Sequence, residues 1–157
     1  MASGDEFRAV MRHVPAPVAV VTVTVDGRHA GLTVASLVSL SLEPPLVGFA
    51  IRRDAALHEL LRESPEHADR VLAAGQEHLA QHFARGVPPI ALWHGIASRE
   101  GAAGAPLLVG ALGWLECRLA DEVPAGDHTF FVGEVLSVEL GESAPPLVHI
   151  ESGYRSL

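Results

Sequence analysis

Apolar residues along this chain repeat with two different periods, and the changes of period mark its elements. Phe7, Val10, Met11 and Val14 fall three or four positions apart, the spacing of one helix face. Pro15 and Pro17 follow, and a residue before proline is driven out of the helical region, so a short amphipathic helix is expected to stop there. The run VAVVTVTV at 18–25 is dense in β-branched residues, which suit a pleated strand. Asp26-Gly27 comes directly after it, and both positions tolerate positive φ. A tight hairpin is therefore expected, returning over about 29–38. LVGFAIR at 46–52 makes a third strand, with Pro44-Pro45 in the connection because neither proline can donate a ladder hydrogen bond.

The period then lengthens. Leu57, Leu60 and Leu61 share one face of a helix over 55–63, which Ser64-Pro65 ends. VLAA at 71–74 reads as a short strand, and QEHLAQHFA at 76–84 as a further helix with Leu79 and Phe83 four apart. From Val87 to Pro106 the chain is loop-like, rich in Pro, Gly and Ala. Strand patterning returns in LLVGALGWLECRLAD (107–121) and HTFFVGEVLSVEL (128–140), separated by the turn-like VPAGD, and PLVHI (145–149) adds a last strand. Strands, then helices, then strands again predict an antiparallel barrel with helices packed outside, rather than an alternating βαβ protein.

A chain of 157 residues, 48% apolar and 19% charged, suits one folded domain over 1–157 with a true core. The net charge of −8, from 19 acids against 11 bases, argues against binding nucleic acid, which needs a basic face. A small phosphorylated ligand stays compatible, because one arginine or a row of backbone N–H groups suffices. Cys117 is the only cysteine, so neither a disulfide framework nor a thiolate metal site is expected. MASGDEFRAVMRHV carries charges where a signal peptide would place its apolar region, and no apolar run approaches a membrane span. A cytoplasmic location without membrane attachment is expected.

Nine histidines invite a search for metal chemistry. His78 and His82 stand at i,i+4, but HLAQH lacks the glutamate of HExxH, and two ligands fall short of three or four. They read as solvated helix-face residues, and no metal is expected. The chain has no G-x-S-x-G elbow, no phosphate-binding G-x-x-x-x-G-K-[ST], and no G-x-G-x-x-G opening a helix after a strand. Two features remain. GLTVASLVSLSLEPPL places Thr33, Ser36, Ser39 and Ser41 among aliphatics, short donors and acceptors at strand spacing that can grip a flat polar heterocycle. His128, flanked by Asp127 and Thr129, starts a long strand after a tight turn, where an imidazole either projects into a pocket mouth or stays half-exposed.

These same segments carry a family resemblance. GLTVASLVSLSLEPPLVGFAI resembles the flavin-binding signature of the short-chain flavin reductases, the split-barrel reductase components of two-component monooxygenases. AGDHTFFVGEV is similar to that family's second signature, GAPLLVGALGWLECRL to the strand pair before it, and PLVHIESGYRSL to its common ending. The four matches occur in the family's order and span about Phe7 to Leu157. The resemblance implies a mainly β fold: a homodimeric, six-stranded antiparallel split β-barrel with a few peripheral helices, holding FMN or FAD in a groove near the subunit interface. It implies reduction of the flavin by NADH or NADPH, with reduced flavin leaving for a partner monooxygenase. The cofactors perform the hydride transfer and the protein supplies orientation, so no general base is needed.

Carried onto this sequence, the resemblance places Thr33, Val34, Ala35 and Ser36 along the isoalloxazine, partly through backbone groups, with Ser39 nearby. Ile51, Arg52, Arg53, Asp54 and Ala55 would approach the ribityl phosphate, and Phe83 and Ala84 would close that end of the groove. His128 would face the nicotinamide and Tyr154 the flavin edge. The chain departs from the pattern in three places. Pro15-Ala16-Pro17 replaces Ala-Thr-Gly, and His67-Ala68-Asp69-Arg70-Val71-Leu72 stands where Phe-Ala-Val-Asn-Val-Leu is common. His82 replaces the arginine before Phe-Ala, with Arg52, Arg53 or Arg85 as compensating cations. Two alternatives stay open: a flavin- or tetrapyrrole-binding split barrel without turnover, and a structural dimer with a degenerate groove.

Overall fold

The computed structural model describes residues 1–64, 66–85 and 89–157. The helix stop expected at Pro65 and the loop start expected at Val87 lie outside the described residues. Helix α1, Gly4–Met11, is set by a capping box: the Glu6 N–H donates to Ser3 Oγ (3.2 Å) and the Ser3 N–H to Glu6 Oε2 (2.8 Å). Its apolar residues are not buried; Phe7 and Val10 are 64% and 67% exposed. The short strand β1 (Ala16–Pro17) follows.

Strands β2 (Ala19–Val25) and β3 (Arg28–Val34) form the expected hairpin, with Asp26 at φ 50° and Gly27 at φ 74° supplying both left-handed turn positions. The return strand stops at Val34 rather than at 38. Residues 35–37 leave the ladder, and Val38–Leu42 forms a separate strand, β4, antiparallel to β5 (Pro45–Arg52). Pro45 is tolerated as the first residue of its strand. Helix α2 (Ala56–Glu63) then turns Leu57 and Leu61 inward.

The next strand is earlier than expected. It is β6, Glu66–Val71, and 71–74 contributes only its first residue and an isolated bridge at Ala73. EHADRV is polar at four of its six positions, yet residues 67–70 are buried, so hydrophobic patterning could not reveal it. Helix α3 (Glu77–Ala84) buries Leu79, Ala80 and Phe83. The stretch expected to be loop contains a four-residue helix, α4 (Pro89–Leu92), and strand β7 (Ser98–Glu100), which pairs with β8 (Pro106–Leu108). The apolar run at 107–121 is likewise broken after Leu108, near Gly110 at φ 85°, and resumes as β9 (Gly113–Ala125). Strand β9 runs through Val123-Pro124, so only Gly126-Asp127 makes the turn into β10 (His128–Leu140). Strands β11 (Leu147–Ile150) and β12 (Gly153–Ser156) close the chain.

The main sheet has seven antiparallel strands in the order β3-β2-β6-β9-β10-β5-β4, one beyond the six expected because β4 peels away from β3. Strand β3 also touches β5, so the sheet curls back upon itself as a split barrel. Val21, Val23, Phe49, Ile51 and Phe131 fill its interior against Leu57 and Leu61 of α2. A second cluster, Val18, Val20, Leu72 and Leu147, packs against Leu79 and Phe83 of α3. Fully burying each such side chain contributes roughly 1.5–3 kcal/mol, which anchors both helices to the sheet. A small sheet of β1, β11 and β12 lies beside them. No helix among the described residues is long and apolar enough to cross a membrane.

Candidate functional site

Two surface cavities bracket the β3 region. One, of about 470 Å3, lies between β3, the start of α2 and the end of α3. It gathers Asp54 and Ala55 with Phe83 and Ala84, four residues that 28 positions of chain keep apart in sequence. Leu32, Leu57 and Leu60 add apolar walls. Gly31 sets its depth: a Cβ there would lie 2.9 Å from both Cδ1 and Cε1 of Phe83, so only glycine lets β3 approach the ring so closely. Trp93 fixes the same strand by donating its indole N–H to the His29 carbonyl at 2.9 Å.

The polar groups around this cavity are mainly basic. Arg28 and Arg85 line it, and among the described residues neither has an acidic partner. Asp54 would oppose an anion, but Arg52 holds its carboxylate by two hydrogen bonds of 2.9 Å each. That contact keeps the Asp54 carboxyl below the ordinary range and holds the Arg52 guanidinium above its own. Helix α2 starts at this cavity without a side-chain cap, because Ala55 in the N-cap position has no oxygen to offer. The His58 N–H donates to the Ala55 carbonyl at 3.0 Å, and the Ala56 and Leu57 N–H groups before it are left to other acceptors. Arg28 and His29 at the hairpin are cavity residues that the sequence reading missed; their only local signal is the Asp-Gly turn beside them.

The second cavity, of about 620 Å3, takes Ala35 and Ser36 together with Met11, Val14, Pro17 and His149. Ser36 explains why residues 35–37 leave the ladder. Its Oγ accepts the Ala50 N–H at 2.8 Å and donates to the Ala50 carbonyl at 3.4 Å, tying this segment to β5. Thr33 makes a similar tie, donating to the Ala80 carbonyl of α3 at 2.7 Å. Both hydroxyls are therefore spent on backbone groups. Ser39 is exposed on β4, outside both cavities. The side chains of Val34 and Ile51 point into the barrel core, 5% and 1% exposed, so any ligand contact from them is through the backbone.

His128 sits at the far end of β5, paired in register with Arg52. Its Nδ1 lies 2.6 Å from Asp127 Oδ1, and that hydrogen bond keeps the Asp127 carboxyl below its ordinary value. The Arg53 N–H donates to the Asp127 carbonyl at 3.1 Å, joining the two turns. Arg52, Asp127 and His128 thus form a polar rim beside the smaller cavity without lining it, joined to the cavity through Asp54, which does. Tyr154 is half-buried against the α3 cluster, ring to ring with His149 at 5.5 Å, and partial burial pushes its phenol upward. It lines neither cavity. Of the residues expected at the phosphate end, the structure brings Asp54, Ala55, Phe83 and Ala84 onto one cavity, leaves Ile51, Arg52 and Arg53 off its lining, and separates the four from Tyr154 and from the hydroxyls of Thr33 and Ser36.

His82, where an arginine was expected, donates Nε2–H to the Leu92 carbonyl at 2.6 Å, so it holds α4 and not an anion. His78 is exposed.

A family model for the flavin reductase like domain matches residues 11–157. The reductase component of 4-hydroxyphenylacetate 3-monooxygenase from Thermus thermophilus is 39% identical over 153 residues, covering 98% of this chain and 96% of the relative. The NADH:FMN oxidoreductase of Rhodococcus erythropolis is 34% identical over 160 residues, covering 97% and 80%. Among solved structures, the Streptomyces globisporus NADH:FAD oxidoreductase in complex with NAD and FAD fragments superposes with a TM-score of 0.91. It is 35% identical and covers 96% of this chain and 90% of its own.

Proposed function

This chain belongs to the flavin reductase-like family, and from that membership we propose that it works as an NAD(P)H-dependent flavin reductase. It reduces FMN or FAD and supplies the reduced flavin to a partner monooxygenase, with residues 1–157 acting as one domain. The observation that carries this reading at the level of the site is the smaller cavity. There the β5–α2 turn and the end of α3 converge beside Arg28 and Arg85.

The residues present fit a flavin nucleotide. Bound there, a flavin supplies the hydride-accepting ring system. Arg28, Arg85 and the uncapped start of α2 attract its phosphate, while Arg52 neutralises Asp54 so that no free carboxylate repels it. Leu32, Leu57 and Leu60 give the apolar wall and exclude water. His128, oriented through Nδ1 by Asp127, presents its Nε2 side to the nicotinamide donor. A cavity open to solvent suits a carrier that must release its product, and an unplugged groove speaks for turnover over a degenerate dimer.

A homodimer completes the reading. The exposed apolar residues Phe7, Val10 and Met11 of α1, Val14 just beyond it, and the exposed aliphatics Val38, Leu40 and Leu42 on β4 offer surface that a second copy would cover. Sedimentation of the purified chain as a monomer at micromolar concentration would contradict that part.

The decisive experiment mixes the purified chain with NADH or NADPH and excess free FMN or FAD, and follows loss of nicotinamide absorbance. Consumption that depends on added flavin is expected. A folded chain that binds flavin without consuming either donor would leave only a carrier.

A further inference from the structure

The barrel interior holds a polar trio that flavin reduction does not use. His67 and Cys117 are direct partners across the β6–β9 ladder, and Asp69 follows His67 by two positions on the same face. All three are 0% exposed, packed beside Phe49, whose ring meets that of His67 at 5.3 Å. Asp69 Oδ2 stands 3.5 Å from His67 Nε2 and 3.5 Å from Cys117 Sγ. Among the described residues, both ring nitrogens of His67 and Oδ1 of Asp69 lack any hydrogen-bond partner. Each such buried orphan is costly and calls for a physical cause; of the two ring nitrogens, Nε2 is the one that faces Asp69 and Cys117 and that a shared ion would take.

We propose that His67, Asp69 and Cys117 form a structural zinc(II) site inside the barrel. The three donor atoms lie within 4.8 Å of one another. Donors bound to a tetrahedral ion at about 2.0–2.3 Å stand roughly 3.3–3.8 Å apart, so the separations to Asp69 are those of ligands sharing an ion. The chemistry matches too. A thiolate and an imidazole select zinc over magnesium or calcium, and one thiolate plus one carboxylate neutralise a divalent cation in an apolar interior. Arg70 does not take over that role. It projects from the opposite face of β6 and donates to the carbonyls of Val20 (3.2 Å) and Ala68 (2.7 Å). Gly133 of β10 leaves the room the site needs, since a Cβ there would lie 3.0 Å from His67 Cε1 and 3.2 Å from the Cys117 Cβ. Three protein ligands with one trapped water complete four-fold coordination.

Such an ion cross-links β6 to β9 and enters as the chain folds, because none of its ligands reaches solvent. It lies apart from the cavity assigned to flavin, so its presence does not depend on that assignment.

The full chain, refolded from denaturant with cobalt(II) or zinc(II) and desalted, provides the test. One metal per chain is expected by native mass spectrometry, with a near-ultraviolet thiolate-to-cobalt charge-transfer band. Folded Cys117→Ser should lose the band and at least tenfold in zinc occupancy, while His78→Ala keeps both. If Cys117→Ser does not fold, the wild-type cobalt band decides alone. Wild-type chain with native near-ultraviolet dichroism but neither metal nor band would overturn the proposal. Full occupancy in folded Cys117→Ser would do so equally.

Discussion

His58 Nε2 lies 2.7 Å from Thr129 Oγ1, locking the first turn of α2 to the strand residue that follows His128. The Nδ1–H of His58 donates to Glu59 at 2.9 Å, which leaves Nε2 to accept from the threonine hydroxyl. His58 and Thr129 are 6% and 5% exposed, so this bond joins the two turns at the rim of the proposed flavin site from beneath.

Thr129→Val keeps the shape and removes the donor, leaving a buried imidazole nitrogen unpaired. Unfolding free energy should fall by about 1–3 kcal/mol in urea titrations. An unchanged midpoint would show that α2 is held by its leucines alone.

His128→Ala should raise the KM for NADH several-fold while leaving flavin affinity nearly as it was, because His128 stands on the rim and not in the cavity. Steady-state kinetics with paired flavin titrations separate the two. A flavin defect equal to the nicotinamide defect would place His128 elsewhere in the mechanism.

Asp127 gives a pH dependence with a definite sign. Its folded pKa is lowered by the hydrogen bond from His128. The unfolded chain therefore binds the proton more readily, and the contact's stabilisation is complete above the ordinary carboxylate value of ~3.9. It disappears as pH falls through the lowered folded value. Asp127→Asn should lose stability at neutral pH and converge with the wild type in strong acid, as followed by dichroism during acid titration. Curves that stay parallel would remove Asp127 from the linkage.

Ser36→Ala deletes the tie between residues 35–37 and β5. About 0.5–1.5 kcal/mol of stability should be lost, a shift of a few degrees in Tm by calorimetry. Ser39→Ala, on an exposed strand face, is the matched control and should stay within about 0.5 kcal/mol of the wild type.

Gly31→Val drives a branched side chain into Phe83 and the cavity together. Overpacking should cost about 1–3 kcal/mol, and flavin affinity in the folded variant should drop at least several-fold. Retention of full affinity by fluorescence quenching would move the flavin out of this cavity.

Much of the architecture was legible in the chain because its information is local. Asp26-Gly27 specifies a tight hairpin through backbone torsions alone, and HTFFVGEVLSVEL (128–140) is dense enough in β-branched and aromatic residues to mark β10 over its full length. The polar strand β6 was invisible for the opposite reason: EHADRV shows nothing of the buried environment that its neighbours β2 and β9 create. The 98–108 hairpin was equally hidden, its strands being three residues each. At the site, the motif singled out Asp54, Ala55, Phe83 and Ala84, and the structure puts these four on one cavity. The motif gave no means of knowing that Thr33 and Ser36 bond to backbone groups of α3 and β5, or that Arg28 arrives from the hairpin.

By itself, then, the order of residues determined strand and helix periods, turn positions and the family motifs, all of which rest on torsional preference and spacing along one segment. The tertiary structure alone decided which polar groups face each other. His67 meets Cys117 across a ladder and His58 meets Thr129 beneath the cavity rim, because register and curvature bring distant side chains within a few ångströms, where hydrogen bonding and charge act.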